Sequence, residues 1–258
     1  MANTSDGRFV WYELMTTDSK AAVAFYTGVV GWKTQPFDAE HDYLMWVGSQ
    51  GPLGGTMTLP KEAKATGTTP HWTSHVHVSD VDATVRSAQS LGGRVLVEPT
   101  DLPGVGRFSS IADPEGATIC VFKAAQPMAA HDVSKPGEIC WAELATTDHP
   151  SAFRFYAELF GWTKLGDHDM GPMGTYLVFG AGTTQIGGMF TSPKGVTKQP
   201  AWLYYIEVPD LDGAIAKAKA TGAQLLTGPV EVPGGARIAQ LKDPQGAAFA
   251  LHSQKPKA

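Results

Sequence analysis

The stretch Trp11–Trp32, WYELMTTDSKAAVAFYTGVVGW, returns 130 residues later as Trp141–Trp162, WAELATTDHPSAFRFYAELFGW. At that one shift Trp11, Glu13, Leu14, the run Thr16-Thr17-Asp18, Phe25-Tyr26 and Gly31-Trp32 all meet identical residues. Chance does not supply so many matches at one offset, so the chain is a tandem duplication. Its 258 residues exceed the usual single domain, and each half has a typical domain length. The expected division is a first domain over 1–125, a linker over 126–136 in a stretch rich in Ala, Pro and polar residues, and a second domain over 137–258.

Within the repeat, Phe9 to Met15 is aromatic and β-branched and runs into Thr-Thr-Asp, which predicts a strand leading to a helix cap at Asp18. Ala22, Phe25, Tyr26 and Val29 fall on one helical stripe, and Gly31 suits the left-handed stop position. Short strands follow at Tyr43–Val47 and Leu53–Leu59, echoed at Tyr176–Phe179 and Ile186–Thr191. A second strand, cap, helix, glycine and strand pattern occupies His71–Pro99 and recurs over 201–229, with Asp80 and Asp210 as caps and Val81, Val85 and Ala88 as the first buried stripe. Each half closes with a Pro-Gly segment, an arginine strand and a DPxG turn. The segments Pro99–Gly106 and Pro229–Gly235 suit either lids or tight connections at a sheet edge. The reading is an α+β chain of four strand-helix-strands modules.

Four such βαβββ modules, with FYxxxxGW after the first helix and DPxG before the last strand of each pair, resemble the vicinal oxygen chelate superfamily. That superfamily includes glyoxalase I, the bleomycin-resistance proteins and the extradiol dioxygenases. In finer detail the chain is similar to actinobacterial two-domain glyoxalase-like proteins, often labelled hydroxylases. The resemblance implies two tandem glyoxalase-like domains, each a curled eight-stranded sheet forming a cup for a small molecule. It also implies divalent-metal ligands seven residues before each capping Asp and seven after each DPxG Asp. Here those positions hold Trp11, Thr73, Cys120, Trp141, Leu203 and Ala250, with no imidazole or carboxylate among them. A divalent ion needs several N, O or S donors, so no metal and no cofactor is expected at these positions.

Strand alternation puts Trp11, Glu13 and Met15 on one face, which the resemblance turns toward the cup. A partly desolvated carboxylate beside an indole suits acid-base work, and it equally suits a structural bond to a tyrosine or arginine. His71, Thr73, His75 and His77 alternate along the facing strand, which makes Glu13, His75 and His77 the candidate catalytic residues. Trp11, Met57, Trp141 and Tyr205 are candidates for an aromatic or carbonyl-bearing ligand, as are Cys120, Glu143 and Glu207, while Arg107 and Arg237 suit a ligand carboxylate or an ion pair. Three functions fit these residues: a metal-independent acid-base enzyme, a non-catalytic sequestering protein, and a metal enzyme with displaced ligands.

Composition narrows the partners. A formal charge of −5, a pI near 5.9 and the absence of a basic run argue against nucleic acid. No apolar run reaches membrane-spanning length, and the N-terminus lacks the charged and apolar pattern of a secretory leader, so a cytoplasmic protein is expected, as monomer or homodimer. Two cysteines without CxxC spacing, Cys120 and Cys140, exclude a disulfide framework.

Overall fold

The computed structural model describes residues 6–38, 42–65, 67–193 and 199–254. Four βαβββ modules succeed one another along them. The first contains β1 (Phe9–Thr16), α1 (Ser19–Val29), β2 (Lys33–Pro36), β3 (Tyr43–Gly48) and β4 (Gly51–Thr58), followed by the short α2 (Lys61–Ala65). The second contains β5 (His71–His77), α3 (Val81–Ser90), β6 (Arg94–Leu102), β7 (Gly106–Ala112) and β8 (Thr118–Ala124). The third contains β9 (Ile139–Thr146), α4 (His149–Phe160), β10 (Trp162–Asp169), β11 (Thr175–Ala181) and β12 (Thr184–Thr191). The fourth contains β13 (Ala201–Glu207), α5 (Leu211–Ala220), β14 (Gln224–Glu231), β15 (Arg237–Lys242) and β16 (Ala248–Ser253).

The strands form two eight-stranded mixed sheets, ordered β2-β3-β4-β1-β5-β8-β7-β6 and β10-β11-β12-β9-β13-β16-β15-β14. Within each module the first and last strands pair in parallel, while the remaining neighbours are antiparallel hairpins. All four predicted caps form: Asp18, Asp80, Asp148 and Asp210 each accept from the backbone N–H three residues on. Each cap satisfies a donor that the first helical turn leaves without an intrahelical acceptor.

The two Pro-Gly segments are hairpins. β6 continues through Pro99, with Leu102 opposite Gly106 and Asp101 opposite Arg107, and β14 likewise places Glu231 opposite Arg237. Of the two readings open for these segments, the tight sheet-edge connection is the one observed. The polar, exposed β2 has no apolar alternation to announce it and becomes visible only through its pairing with β3.

Packing divides the chain into two compact units. One comprises Met1–Val10, Thr73–Ala130 and Trp141–Trp202, and the other comprises Trp11–Trp72, His131–Cys140 and Leu203–Ala258. Each unit therefore draws one module from either half of the chain. In the unit of the first and fourth modules, Tyr26 stacks on Trp32 and meets Trp72 and Phe249 edge-on. In the unit of the second and third modules, Tyr156 stacks on Trp162 and meets Trp202 edge-on. The tyrosine and tryptophan of FYxxxxGW are thus core residues in both copies, where large apolar rings contribute most through buried area.

The DPxG turn explains its own sequence. Asp113 Oδ1 accepts from the N–H groups of Glu115, Gly116 and Ala117, and Asp243 Oδ1 does the same for Gln245, Gly246 and Ala247. Gly116 and Gly246 sit at φ +106° and +105°, which explains the glycine in the fourth place.

Candidate functional site

Glu13 and Trp11 lie on the same face of β1, and a tyrosine from β3 joins them. The Trp11 indole donates to the Tyr43 hydroxyl at 2.8 Å, and that hydroxyl donates to Glu13 Oε1 at 2.8 Å. Burial and the neighbouring Glu13 carboxylate push the Tyr43 phenol far above its ordinary range, so it remains a proton donor. The other unit repeats the chain of bonds: Trp141 donates to the Tyr176 hydroxyl at 2.7 Å, which donates to Glu143 Oε2 at 3.0 Å. Burial, followed by Glu143, raises the Tyr176 phenol in the same way.

Room for each tyrosine comes from a glycine. Gly55 is the β4 partner of Glu13, and a Cβ there would overlap the Tyr43 ring. Gly188 is the β12 partner of Glu143, and a Cβ there would overlap the Tyr176 ring. Met57 stands opposite Tyr43 on one side and Met15 on the other, which places a thioether beside the relay.

Sequence reading did not single out Tyr43 or Tyr176. They are 133 residues apart rather than 130, because β10, at 8 residues, is longer than β2, at 4. The Gly54-Gly55 and Gly187-Gly188 pairs were the available signal.

Of the β5 histidines, His75 and His77 lie in the unit of the second and third modules, whereas His71 falls in the other. His75 is buried, with its ring 6.3 Å from that of Phe108 and 6.0 Å from that of Phe122. It stands opposite Cys120, whose sulfur lies 4.0 Å from Thr73 Oγ1. His77 Nδ1 shares a 2.9 Å hydrogen bond with Asp6 Oδ1. In the other unit Gln240 Nε2 donates to the Tyr205 hydroxyl at 2.8 Å, with Ala250 as the register partner of both residues.

Arg107 and Arg237 are engaged on their own elements' neighbours. Arg107 forks onto Asp82, at 2.7 and 2.9 Å, and reaches Asp101 at 2.9 Å. Arg237 forks onto Asp212 at 2.8 and 3.0 Å. These bonds lower both helix-turn aspartates' carboxyl pKa and raise those of the arginines. Arg107 and Lys123 also border a depression of about 290 Å³ at the end of the β6–β7 hairpin.

Glu207 forms a hydrogen-bonded pair with His252, its register partner on β16. Its other oxygen accepts from the N–H of Gln254 at 3.2 Å. Cys140 lies next to this pair and donates to the Tyr205 carbonyl at 3.5 Å.

The six positions at which the vicinal oxygen chelate fold would carry a metal do not fit a divalent ion. Trp11 and Trp141 offer indole N–H groups already donated to tyrosines, and Leu203 and Ala250 offer no donor atom. Only Thr73 and Cys120 carry a heteroatom with lone pairs.

Four βαβββ modules with these motifs define a protein of the vicinal oxygen chelate class. Residues 11–122 match the model of the glyoxalase-like domain, and residues 138–251 match that of the glyoxalase/bleomycin resistance protein/dioxygenase superfamily. The chain is 32% identical to the glyoxylase-like protein CFP32 of Mycobacterium tuberculosis (strain CDC 1551 / Oshkosh), over 95% of this chain and 94% of that one. It is 29% identical to the anthracycline biosynthesis protein DnrV of Streptomyces peucetius, over 97% of this chain and 94% of that one.

The chain thus belongs to the glyoxalase/bleomycin resistance protein/dioxygenase superfamily, as two tandem glyoxalase domains. Among solved structures, the Mn(II)-bound glyoxalase from Novosphingobium aromaticivorans shares the fold at a TM-score of 0.65 and 16% identity, covering 97% of this chain and 83% of that one. Homoprotocatechuate 2,3-dioxygenase from Arthrobacter globiformis shares it at 0.69 and 14% identity, covering 97% and 80%. Among the described residues no helix is long and apolar enough to cross a membrane.

Proposed function

We propose that the protein is a glyoxalase-like enzyme acting on a small carbonyl-bearing or aromatic compound by acid-base chemistry. No metal at the six family positions takes part. Glu13 accepts the proton in the unit of the first and fourth modules, and His75 and His77 are the acid-base residues of the other unit. The observation that carries this reading is the Trp11–Tyr43–Glu13 relay. A phenol that stays protonated holds the carboxylate in one orientation, and the indole fixes the phenol, so the base is pre-organised before any substrate arrives. Trp11, Met57 and Tyr205 supply apolar contacts to a compound in the unit of Glu13, and Trp141 supplies one in the other unit. Arg237 supplies a polar contact in the first of these units, and Cys120, Glu143 and Arg107 supply polar ones in the second.

We further propose that the inherited domains run over 1–125 and 137–258, and that the protein works in the cytoplasm as a monomer or homodimer.

The similarity to DnrV makes a fused-ring aromatic the first ligand to test. It also supports a second reading, in which such a compound is held without being changed. The experiment titrates tryptophan fluorescence with fused-ring quinones and small carbonyl compounds, then analyses the recovered compound by mass. An altered compound with the native chain, and turnover lowered at least about 100-fold in Glu13→Gln with binding kept, is the expected result. Turnover unchanged in Glu13→Gln overturns the role of Glu13. A bound but unaltered compound supports sequestration instead.

A further inference from the structure

The unit of the first and fourth modules holds a second cluster of reactive side chains, apart from the tryptophan-tyrosine-glutamate relay. Cys140, Glu207 and His252 bring a sulfur, a carboxylate oxygen and an imidazole nitrogen within 4.8 Å of one another. The three residues come from β9, β13 and β16, so no local sequence pattern announces them.

We propose that Cys140, Glu207 and His252 form a binding site for one divalent transition-metal ion of the zinc type, with a fourth position open to solvent. Thiolate, imidazole and carboxylate together are a donor set that suits zinc, whereas magnesium and calcium prefer oxygen alone. Three protein ligands are also the number found where one coordination position stays open.

The framework holds these donors in place. Glu207 and His252 are direct partners in the parallel β13–β16 ladder, so their side chains leave the sheet side by side. The backbone of Glu207 is pinned on both sides of its peptide: its N–H donates to the Glu138 carbonyl at 2.8 Å, and its carbonyl accepts from the Gly137 N–H at 2.7 Å. The segment that carries Cys140 is thereby tied to the strand end that carries Glu207. The Gln254 N–H on the second Glu207 oxygen is the kind of outer bond that orients a ligating carboxylate.

Burial is graded across the cluster. Glu207 is 4% exposed, while the His252 side chain is 21% exposed and gives an ion a way in. Burial, and then Glu207, push the Cys140 thiol upward, so the metal-free form keeps its proton. An incoming ion takes the place of that thiol proton, which passes to water, and separates His252 from Glu207.

The duplication supplies an internal control. At the same positions of the first half stand Val10, His77 and Phe122, with only one donor side chain among them. One ion per chain is therefore expected rather than two. The six family positions are not involved, so the site and the proposed acid-base chemistry stand or fall separately.

The test uses the full untagged chain, stripped with chelator and reloaded with zinc or cobalt(II). Elemental analysis is expected to find one zinc per chain, and the cobalt form to show a sulfur-to-metal charge-transfer band in the near ultraviolet. Cys140→Ala and His252→Ala are expected to weaken zinc binding more than about 100-fold, beyond the loss that an outer partner causes. His131→Ala, which removes a histidine paired with Glu138 instead, is expected to keep full loading. No zinc above background, a cobalt spectrum lacking the sulfur band, or unchanged zinc affinity in folded Cys140→Ala each overturns the proposal. Should a variant fail to fold, the cobalt spectrum of the native chain decides by itself.

Discussion

Tyr26 donates its hydroxyl hydrogen to Asp243, 217 residues further along the chain, at 3.0 Å. The bond joins the FYxxxxGW motif of the first module to the DPxG turn of the fourth. Tyr156 donates to Asp113 at 3.0 Å in the same way, joining the third module to the second. The two motifs that mark the repeat are thus each other's binding partners across modules.

Removing either hydroxyl leaves a buried carboxylate oxygen short of a donor, at a cost of about 1–3 kcal/mol. The two sites differ in one respect. Trp72 Nε1 also donates to the Tyr26 hydroxyl at 2.9 Å, whereas the matching Trp202 bond to Tyr156 is long, at 3.4 Å. Tyr26→Phe strands an indole as well as a carboxylate, so it is expected to destabilise the chain more than Tyr156→Phe. Urea unfolding of the two variants checks the order, and equal losses would count against it.

Asp113 and Asp243 give a pH prediction. Burial raises both carboxyl pKa values above the ordinary range, against the downward pull of the backbone N–H groups and the tyrosine hydroxyls. A folded value above the unfolded one, about 3.9, favours the protonated form in the folded chain. Its contribution to stability is fully present below about pH 3.9 and is lost as pH rises through the folded value. Asp113→Asn removes that titration. The difference in stability between the native chain and Asp113→Asn is expected to shift in favour of the native chain between about pH 7 and about pH 4. A shift in the opposite sense would mean that the hydrogen bonds outweigh burial.

Gly55 and Gly188 test the relay without touching its members. A methyl group at either position overlaps the tyrosine ring beside it, so Gly55→Ala displaces Tyr43 and Gly188→Ala displaces Tyr176. Overpacking of this kind is expected to cost about 1–3 kcal/mol. Each variant is expected to change the fluorescence of the tryptophan that donates to the displaced hydroxyl. Normal stability and an unchanged spectrum in both would show that the rings do not need the space.

The elements that local chemistry dictates were legible in the sequence. The four capping aspartates, the helical stripe of Ala22, Phe25, Tyr26 and Val29, and the DPxG turns follow from neighbouring residues alone. The resemblance carried by FYxxxxGW and DPxG led to the family. What stayed hidden depends on partners far along the chain. Tyr43 announces nothing until β3 is laid beside β4 and Gly55 opens a space for its ring. Asp82 sits in the first turn of α3 like any helix-favouring acid, and its forked bond to Arg107 appears only when β7 comes alongside. Likewise Cys140, Glu207 and His252 meet only where three strand ends converge.

The bond between Tyr26 and Asp243 also separates two ideas of a building block. The piece that was copied is a run of two consecutive modules, whereas the piece that packs together takes one module from each copy. A fragment ending in the linker would carry Tyr26 without Asp243 and Asp113 without Tyr156, so each inherited half keeps one side of two different handshakes. The duplication is therefore not redundant: neither copy can be discarded while the other remains whole.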